Sequence, residues 1–251
     1  MEILKNFPKS LVIEITHTGL GDHLFHSHLP RIAKENGVEK VYISNFSPVV
    51  HSDYKKIVWE YNPYVDGFID VPGVKVNIGD LVTKLTKGSS LNLLDLVMLE
   101  FGLDNGKTWN SPEVYYKPKY VQEYNKVVYD PNFLSWIGLC TKEDAMTFFK
   151  KNNVNFDAIM KLRGGKHFYI PTGSEQFIET PTLEDFCDLI FSCKELHCLT
   201  SGTATLAEAL NKSATVYYGE GQPVGYQHSK NHTYKFVKRY FMNRVKRKLN
   251  L

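Results

Sequence analysis

No run of apolar residues in this chain approaches the roughly 18 that a membrane-spanning helix needs, so no helical span is expected. The opening Met1-Glu-Ile-Leu-Lys-Asn6 lacks the long apolar stretch behind a basic start that marks a secretory signal. Cysteine is scarce. Cys140, Cys187, Cys193 and Cys198 form no Cys-x-x-Cys pair, and three of them lie in apolar segments. Reduced core thiols in a cytoplasmic protein are expected, not a disulfide frame. A strong charge excess is also missing, with a net charge of only +3. Internal repeats and low-complexity tracts are absent, which removes solenoids and disordered linkers. What is present is 43% hydrophobic and 23% charged residues over 251 positions, enough for one large domain or two small ones with a real core.

The charge that exists is unevenly placed. Lys235, Lys238, Arg239, Arg244, Lys246, Arg247 and Lys248 crowd the end of the chain, interleaved with Phe236, Val237, Tyr240, Phe241, Val245 and Leu249. The spacing predicts a basic amphipathic helix over 235–251. Such a helix either packs its apolar stripe on the body or lies on an anionic membrane. No wider basic face is evident, so nucleic acid is not an expected partner.

Strand-like runs occur at 11–15, 41–44, 68–71, 127–129, 167–170, 196–199 and 215–218, each short and rich in β-branched or aromatic residues. Helical patterns lie between them, at 23–36 before Gly37, 91–101 before Gly102, 142–152 after Thr141 and 183–192 after Thr182. Both threonines have an Asp three positions on, a near capping box. The segment 72–90 reads as loop. Alternating strands and helices predict an α/β protein with parallel sheets. The polar, turn-rich stretch around 105–125 divides it into an N-terminal domain, 1–118, and a C-terminal domain, 119–234.

Two strand–glycine turn–helix units stand out. Thr18-Gly19-Leu20-Gly21-Asp22 is the first. It is not the full dinucleotide fingerprint, because Leu24 replaces the third glycine. Asp22, at the first turn of a helix, is stabilised as an anion by the helix dipole; it either caps that helix or serves as a general base. His23 and His26 are spaced like a metal pair, but the Glu of a His-Glu-x-x-His site is missing and no cysteine is near, so metal is not expected. The second unit is Thr200-Ser201-Gly202-Thr203 after an apolar strand. Its backbone N–H groups and hydroxyls suit a diphosphate, and Gly202 permits close approach. The plainer alternative is a small-residue turn under a packed helix. A third turn, Pro171-Thr-Gly-Ser-Glu175, puts a carboxylate at a strand end, where it would accept ribose hydroxyls or simply face solvent.

In order along the chain, Gly19-Leu-Gly-Asp22 with Leu29-Pro-Arg31, Pro171-Thr-Gly-Ser-Glu175, Thr182-Leu-Glu-Asp185 and Thr200-Ser-Gly-Thr with Ala207-Glu-Ala-Leu210 resemble the motifs of glycosyltransferase family 9, the ADP-heptose:lipopolysaccharide heptosyltransferase group. The resemblance implies a GT-B-like architecture, two Rossmann-like domains with parallel sheets facing an inter-domain cleft. It implies metal-independent, inverting transfer of a sugar from a nucleotide sugar to a glycan or lipid-linked acceptor, as in lipopolysaccharide or capsule biosynthesis, without a cofactor. Asp22 takes the place of the catalytic base. Gly19, Gly21, Glu175, Thr200, Ser201, Gly202 and Thr203 take donor-binding places, with Arg163 or Lys166 helping to stabilise the leaving phosphate. The expected location is cytoplasmic, with peripheral contact at the inner face of the membrane. Three positions depart from the family pattern. Thr200 stands where the family has Asp, Thr205 where it has His, and no clear Lys precedes Trp136. The donor therefore need not be an ADP-heptose. A protein or modified-nucleobase acceptor, or a binder without turnover, are the alternatives.

Overall fold

β1 (Ser10–Ile13) buries Leu11 and Ile13 on one face, the period-two pattern of a strand packed on one side. The computed structural model describes residues 9–132, 137–162 and 176–240. After β1 come α1 (Leu20–Leu24), α2 (Leu29–Glu35), β2 (Lys40–Ser44) and α3 (Ser52–Lys55), which continues as a π-helical turn over Lys56–Glu60. β3 (Gly67–Ile69), α4 (Ile78–Lys84) and α5 (Leu93–Glu100) follow. The second half holds β4 (Val127–Asp130), α6 (Lys142–Lys151), β5 (Ala158–Leu162), β6 (Gln176–Thr180), α7 (Leu183–Ser192), β7 (Glu195–Leu199), α8 (Gly202–Ala209), β8 (Ala214–Gly219) and β9 (Thr233–Val237).

The chain forms two compact units, Met1–Lys117 with Val224–Ser229, and Pro118–Pro223 with Lys230–Leu251. The short stretch 224–229 thus belongs to the first unit, where the sequence had assigned it to the second. It is held there by close backbone approach. A Cβ on Gly225 would sit 2.6 Å from the carbonyl oxygen of Val82, and the Asn92 amide donates to the carbonyl of His228 at 2.9 Å.

In the first unit the parallel sheet runs β1-β2-β3. On the free side of β1, Val74 forms a parallel bridge to Ile13, with Glu14 N–H donating to Val74 O and Val74 N–H to Val12 O. The spatial order, with Val74 counted as a rudimentary fourth strand, is 3-2-1-4. The approach is tight enough that a Cβ on Gly73 would lie 2.7 Å from Val12 O. In the second unit six parallel strands run β6-β5-β4-β7-β8-β9, which is 3-2-1-4-5-6 in order of appearance. That is the doubly wound Rossmann order. Its core is aromatic: Tyr129 of β4 stacks on Phe156 with centroids 4.7 Å apart and meets Phe149 of α6 edge-on.

Several local expectations are met by named interactions. Thr141 and Thr182 each form a full capping box with Asp144 and Asp185, opening α6 and α7. Gly102, at φ +70°, follows α5. Others are corrected. The helix expected over 23–36 is two helices, because the Ser27 hydroxyl bonds to Leu24 O and Pro30 restarts the helix in its first turn. The segment 72–90 contains α4, opened by an Asn77 cap on Gly79 N–H. β5, β6 and β9 were not expected. β9 occupies 233–237, so residues 235–237 are strand and not the start of a terminal helix; register with β8 (Phe236 beside Tyr218) overrides their helical spacing. Residues 241–251 lie outside the described residues, as do the strand expected at 167–170 and Trp136. All four cysteines are buried and free. Among the described residues no helix is long and apolar enough to cross a membrane.

Candidate functional site

In open α/β sheets a ligand crevice forms where neighbouring strands send their chains in opposite directions, at the carboxyl ends of those strands. The first unit reverses between β1 and the Val74 segment, and the second between β4 and β7. Both turns singled out in the sequence sit at these reversals. Gly19–Asp22 follows β1, and Thr200–Thr203 follows β7.

In the first turn Gly19 is the N-cap of α1, with φ −74° and ψ 147°, and Gly21 and Asp22 lie in the helix's opening turn. The Asp22 carboxylate folds back over Gly19, so that a Cβ there would meet Asp22 Oδ2 at 2.7 Å. Burial pushes the Asp22 carboxyl above the ordinary carboxylate value, against the opposing pull of His17 and of the Gly19 N–H. The sequence expectation placed a stabilised anion here by the helix dipole; in the structure burial is the largest cause and acts against the anion. A carboxylate held this way is a better proton acceptor than a solvated one. The backbone angles of Gly19 suit alanine, so Gly19→Ala is expected to leave unfolding almost unchanged while displacing the Asp22 carboxylate. A pH titration of Asp22 by NMR is the check: its pKa should move toward the ordinary value.

The surroundings of Asp22 are built from buried histidines and a neighbouring loop. The Trp59 indole N–H, set by the π-helical turn, donates to His23 Nδ1 at 3.0 Å, so His23 Nε2–H donates to Pro48 O at 3.0 Å. Both His23 nitrogens are thereby engaged. The loop is pinned further by Ile15 N–H on Ser47 Oγ and Val50 N–H on Thr18 O. It leaves Phe46 and Val50 55% and 58% exposed, Val50 tied to the turn through Thr18. Tyr226, in the 224–229 stretch, is raised in pKa mainly by burial and also by the charge of Asp22. Sequence reasoning missed both the loop and Tyr226, because neither is near Asp22 along the chain.

His26 donates through Nδ1 to the carbonyl of Asp22 at 2.7 Å, and His28 through Nε2 to Leu94 O at 3.1 Å. Their other ring nitrogens are buried and have no partner among the described residues. Burial pulls the pKa of His26 down to about 4 and of His28 to about 3. An unfolded imidazole protonates near 6.5, so below that pH the unfolded chain binds more protons and stability falls toward acid. The two rings together are expected to cost on the order of 3 kcal/mol between about pH 7 and pH 5. His23, lowered chiefly by burial, adds in the same direction. Urea unfolding at the two pH values tests this; an unchanged midpoint would refute it.

In the second turn Ser201 is the N-cap of α8, its hydroxyl accepting Thr203 N–H at 3.3 Å and its carbonyl accepting Ala204 N–H at 3.0 Å. The Thr200 hydroxyl donates to Gln222 Oε1 at 2.9 Å, and the Thr203 hydroxyl to Asp130 Oδ2 at 2.5 Å. Asp130, the last residue of β4, is buried, and its carboxylate meets the start of α8 through that bond. It was not among the predicted residues, although an Asp-Pro pair directly after an apolar strand was there to be read. Glu208 accepts the Asn231 amide at 3.2 Å on both carboxylate oxygens. Arg163, Lys166 and Glu175 lie outside the described residues. Among the described residues no group of His, Cys, Asp or Glu is arranged to hold a metal ion.

The chain superposes on E. coli heptosyltransferase WaaC with ADP at a TM-score of 0.58, with 96% of this chain and 98% of that chain covered at 10% identity. The fold is that of family 9 glycosyltransferases. E. coli ADP-heptose lps heptosyltransferase II gives 0.56, with 97% and 98% covered at 12% identity. A glycosyl transferase family 9 structure from Veillonella parvula gives 0.51, with 100% and 90% covered at 9% identity. The sequence matches no family model and no curated protein. The likeness to these GT-B heptosyltransferases is therefore one of architecture.

Proposed function

We propose that the protein is an inverting glycosyltransferase that moves a sugar from a nucleotide-activated donor to a hydroxyl of a glycan or lipid-linked acceptor. The observation that carries this reading is the position of Asp22. A desolvated carboxylate stands at the chain reversal of the first unit, in a fold shared with heptosyltransferases. Asp22 takes the proton of the acceptor hydroxyl as that oxygen attacks the anomeric carbon. The bond to the nucleoside diphosphate breaks on the opposite face, which inverts the configuration. Gly19 and Gly21 shape the turn that presents Asp22. The start of α8, through the N–H of Gly202 and the long, replaceable Ser201 cap, faces the negative charge that grows on the diphosphate. Arg163 or Lys166 supplies a further positive group, and Glu175 contacts the nucleotide, as the resemblance implies for that acid. No metal enters this scheme, so EDTA should leave turnover unchanged. The exposed Val50, bonded to the backbone of Thr18 ahead of the Asp22 turn, favours an acceptor with an apolar portion.

A thermal-shift screen against ADP-, UDP-, GDP- and CMP-linked sugars tests the donor half of the proposal, since specific binding stabilises the folded state. Stabilisation by one nucleotide class is expected; none by any class would refute it. The second reading, a nucleotide-sugar binder without turnover, is favoured by Thr200 and Thr205 standing where the family has Asp and His. Slow release of free sugar from the bound donor would exclude it.

A further inference from the structure

α1 has only five residues, and its regular bonding runs out at the residue that carries the carboxylate. In an unbroken helix the carbonyl of Asp22 would accept the N–H of residue 26, four positions on. Here that N–H goes to His23 O at 3.1 Å, and the Ser27 N–H goes to Leu24 O at 3.1 Å, so the chain tightens into three-residue steps. The ring of His26 fills the gap, with Nδ1 2.7 Å from Asp22 O. A carbonyl only accepts, so Nδ1 carries the hydrogen and Nε2 is bare. Nε2 is buried and has no partner among the described residues, and the ring packs edge-on against Phe101, with centroids 5.9 Å apart. Of the ring's two polar atoms, the one in use is the one on Asp22. Asn36 and Asn152 make the same side-chain bond to the carbonyl four residues back, at 2.9 and 2.8 Å, but each adds its own backbone N–H to it. At His26 the imidazole stands in for the backbone.

Resting on the reading of Asp22 as the base, we propose that His26 is its positioning residue: by closing the end of α1 on the carbonyl of Asp22, it holds that residue's backbone and, with it, the carboxylate folded over Gly19. His26 moves no proton and acts through Asp22. Burial pulls its pKa to about 4, so at pH 7 the ring is a neutral donor. The charged or titratable groups that act on the Asp22 carboxyl are His17, from its own loop, and Tyr226, from the 224–229 stretch. A substitution at 26 leaves both in place, so a change in the Asp22 titration reports where its carboxylate sits.

The test is NMR titration of the Asp22 carboxyl in the full chain, for wild type, His26→Leu and His26→Asn, with release of free sugar from ADP-glucose, UDP-glucose and GDP-mannose as the second readout. Leucine fills the place of the ring without a donor. Asparagine restores a donor, as at positions 36 and 152. His26→Leu is expected to bring the Asp22 pKa down toward the ordinary carboxylate value, as the side chain turns to water. It should also lower turnover roughly tenfold or more with donor affinity unchanged, the scale of a misplaced reacting group. His26→Asn should keep the raised pKa and most of the turnover. A role in stability alone would weaken both variants against urea and leave both carboxyl titrations as in the wild type, and that result overturns the proposal. An asparagine variant that titrates like the leucine one overturns it too. If the leucine variant does not fold, the asparagine variant carries the test by itself, and an ordinary Asp22 pKa in it is the refuting result. Failure of the wild type to release sugar from any of the three donors counts against the transferase reading and not against the placing of the carboxylate, which the titrations decide.

Discussion

Asp22→Asn is expected to lower turnover by roughly 100-fold or more while donor affinity stays nearly unchanged. The amide keeps the shape of the side chain and one acceptor oxygen, but it cannot take a proton. The pH profile should change with it. In the wild type, turnover rises with pH as Asp22 loses its proton, and the rise lies above the ordinary carboxylate range because burial raises this group. The variant should lose that limb altogether. Stability should move the other way. A folded-state pKa raised above the unfolded value means that the ionised carboxylate disfavours the folded state at neutral pH, so replacing it with a neutral amide relieves a cost. Equal turnover, or a collapse of both stability and donor binding, would remove Asp22 from the role of base.

Asp95→Ala is expected to destabilise the first unit by about 3–5 kcal/mol, the scale of breaking a buried charged hydrogen-bond network. Asp95 is wholly buried. Its Oδ2 accepts the N–H groups of Asn92 and Trp109, each at 2.8 Å. Its Oδ1 accepts the N–H and the side-chain amide of Asn110, at 2.9 and 2.7 Å. Alanine would take the acceptor from three backbone donors, those of Asn92 and Asn110 buried and that of Trp109 half-buried, and Trp109 sits at φ +61°, a left-handed conformation. Asn92 would be affected as well, since the same box lets its amide hold Asn110 O and His228 O. Urea unfolding followed by tryptophan fluorescence measures the loss, because Trp59 and Trp109 both lie in this unit. A change within about 0.5 kcal/mol, the scale of a surface substitution, would show that the network relaxes without cost.

Elements with strong local signals were legible before the structure. α7 needed only Thr182 and Asp185 at its start and an apolar stripe behind them. β7 needed only its run of apolar residues. The failures share a cause. β5 carries Ala158, Met160 and Lys161, residues with little preference for strand, and is strand because it is flanked on both sides in a sheet. β9 has spacing that fits a helix equally well, and only its pairing with β8 decides the matter. The break between α1 and α2 turns on one serine hydroxyl and on Pro30 restarting the helix.

The chain's own order of residues determined the two glycine turns, their places after apolar strands, and the presence of an aspartate in the first. Those are local facts, fixed by backbone freedom at glycine and by the caps beside it. Tertiary structure alone decided that burial raises Asp22, that the 224–229 stretch joins the first unit, and that Asp130 reaches the 200–203 turn. Burial and hydrogen-bond direction depend on groups far apart in sequence, such as Asp130 and Thr203, and no local pattern encodes which way a hydroxyl will turn.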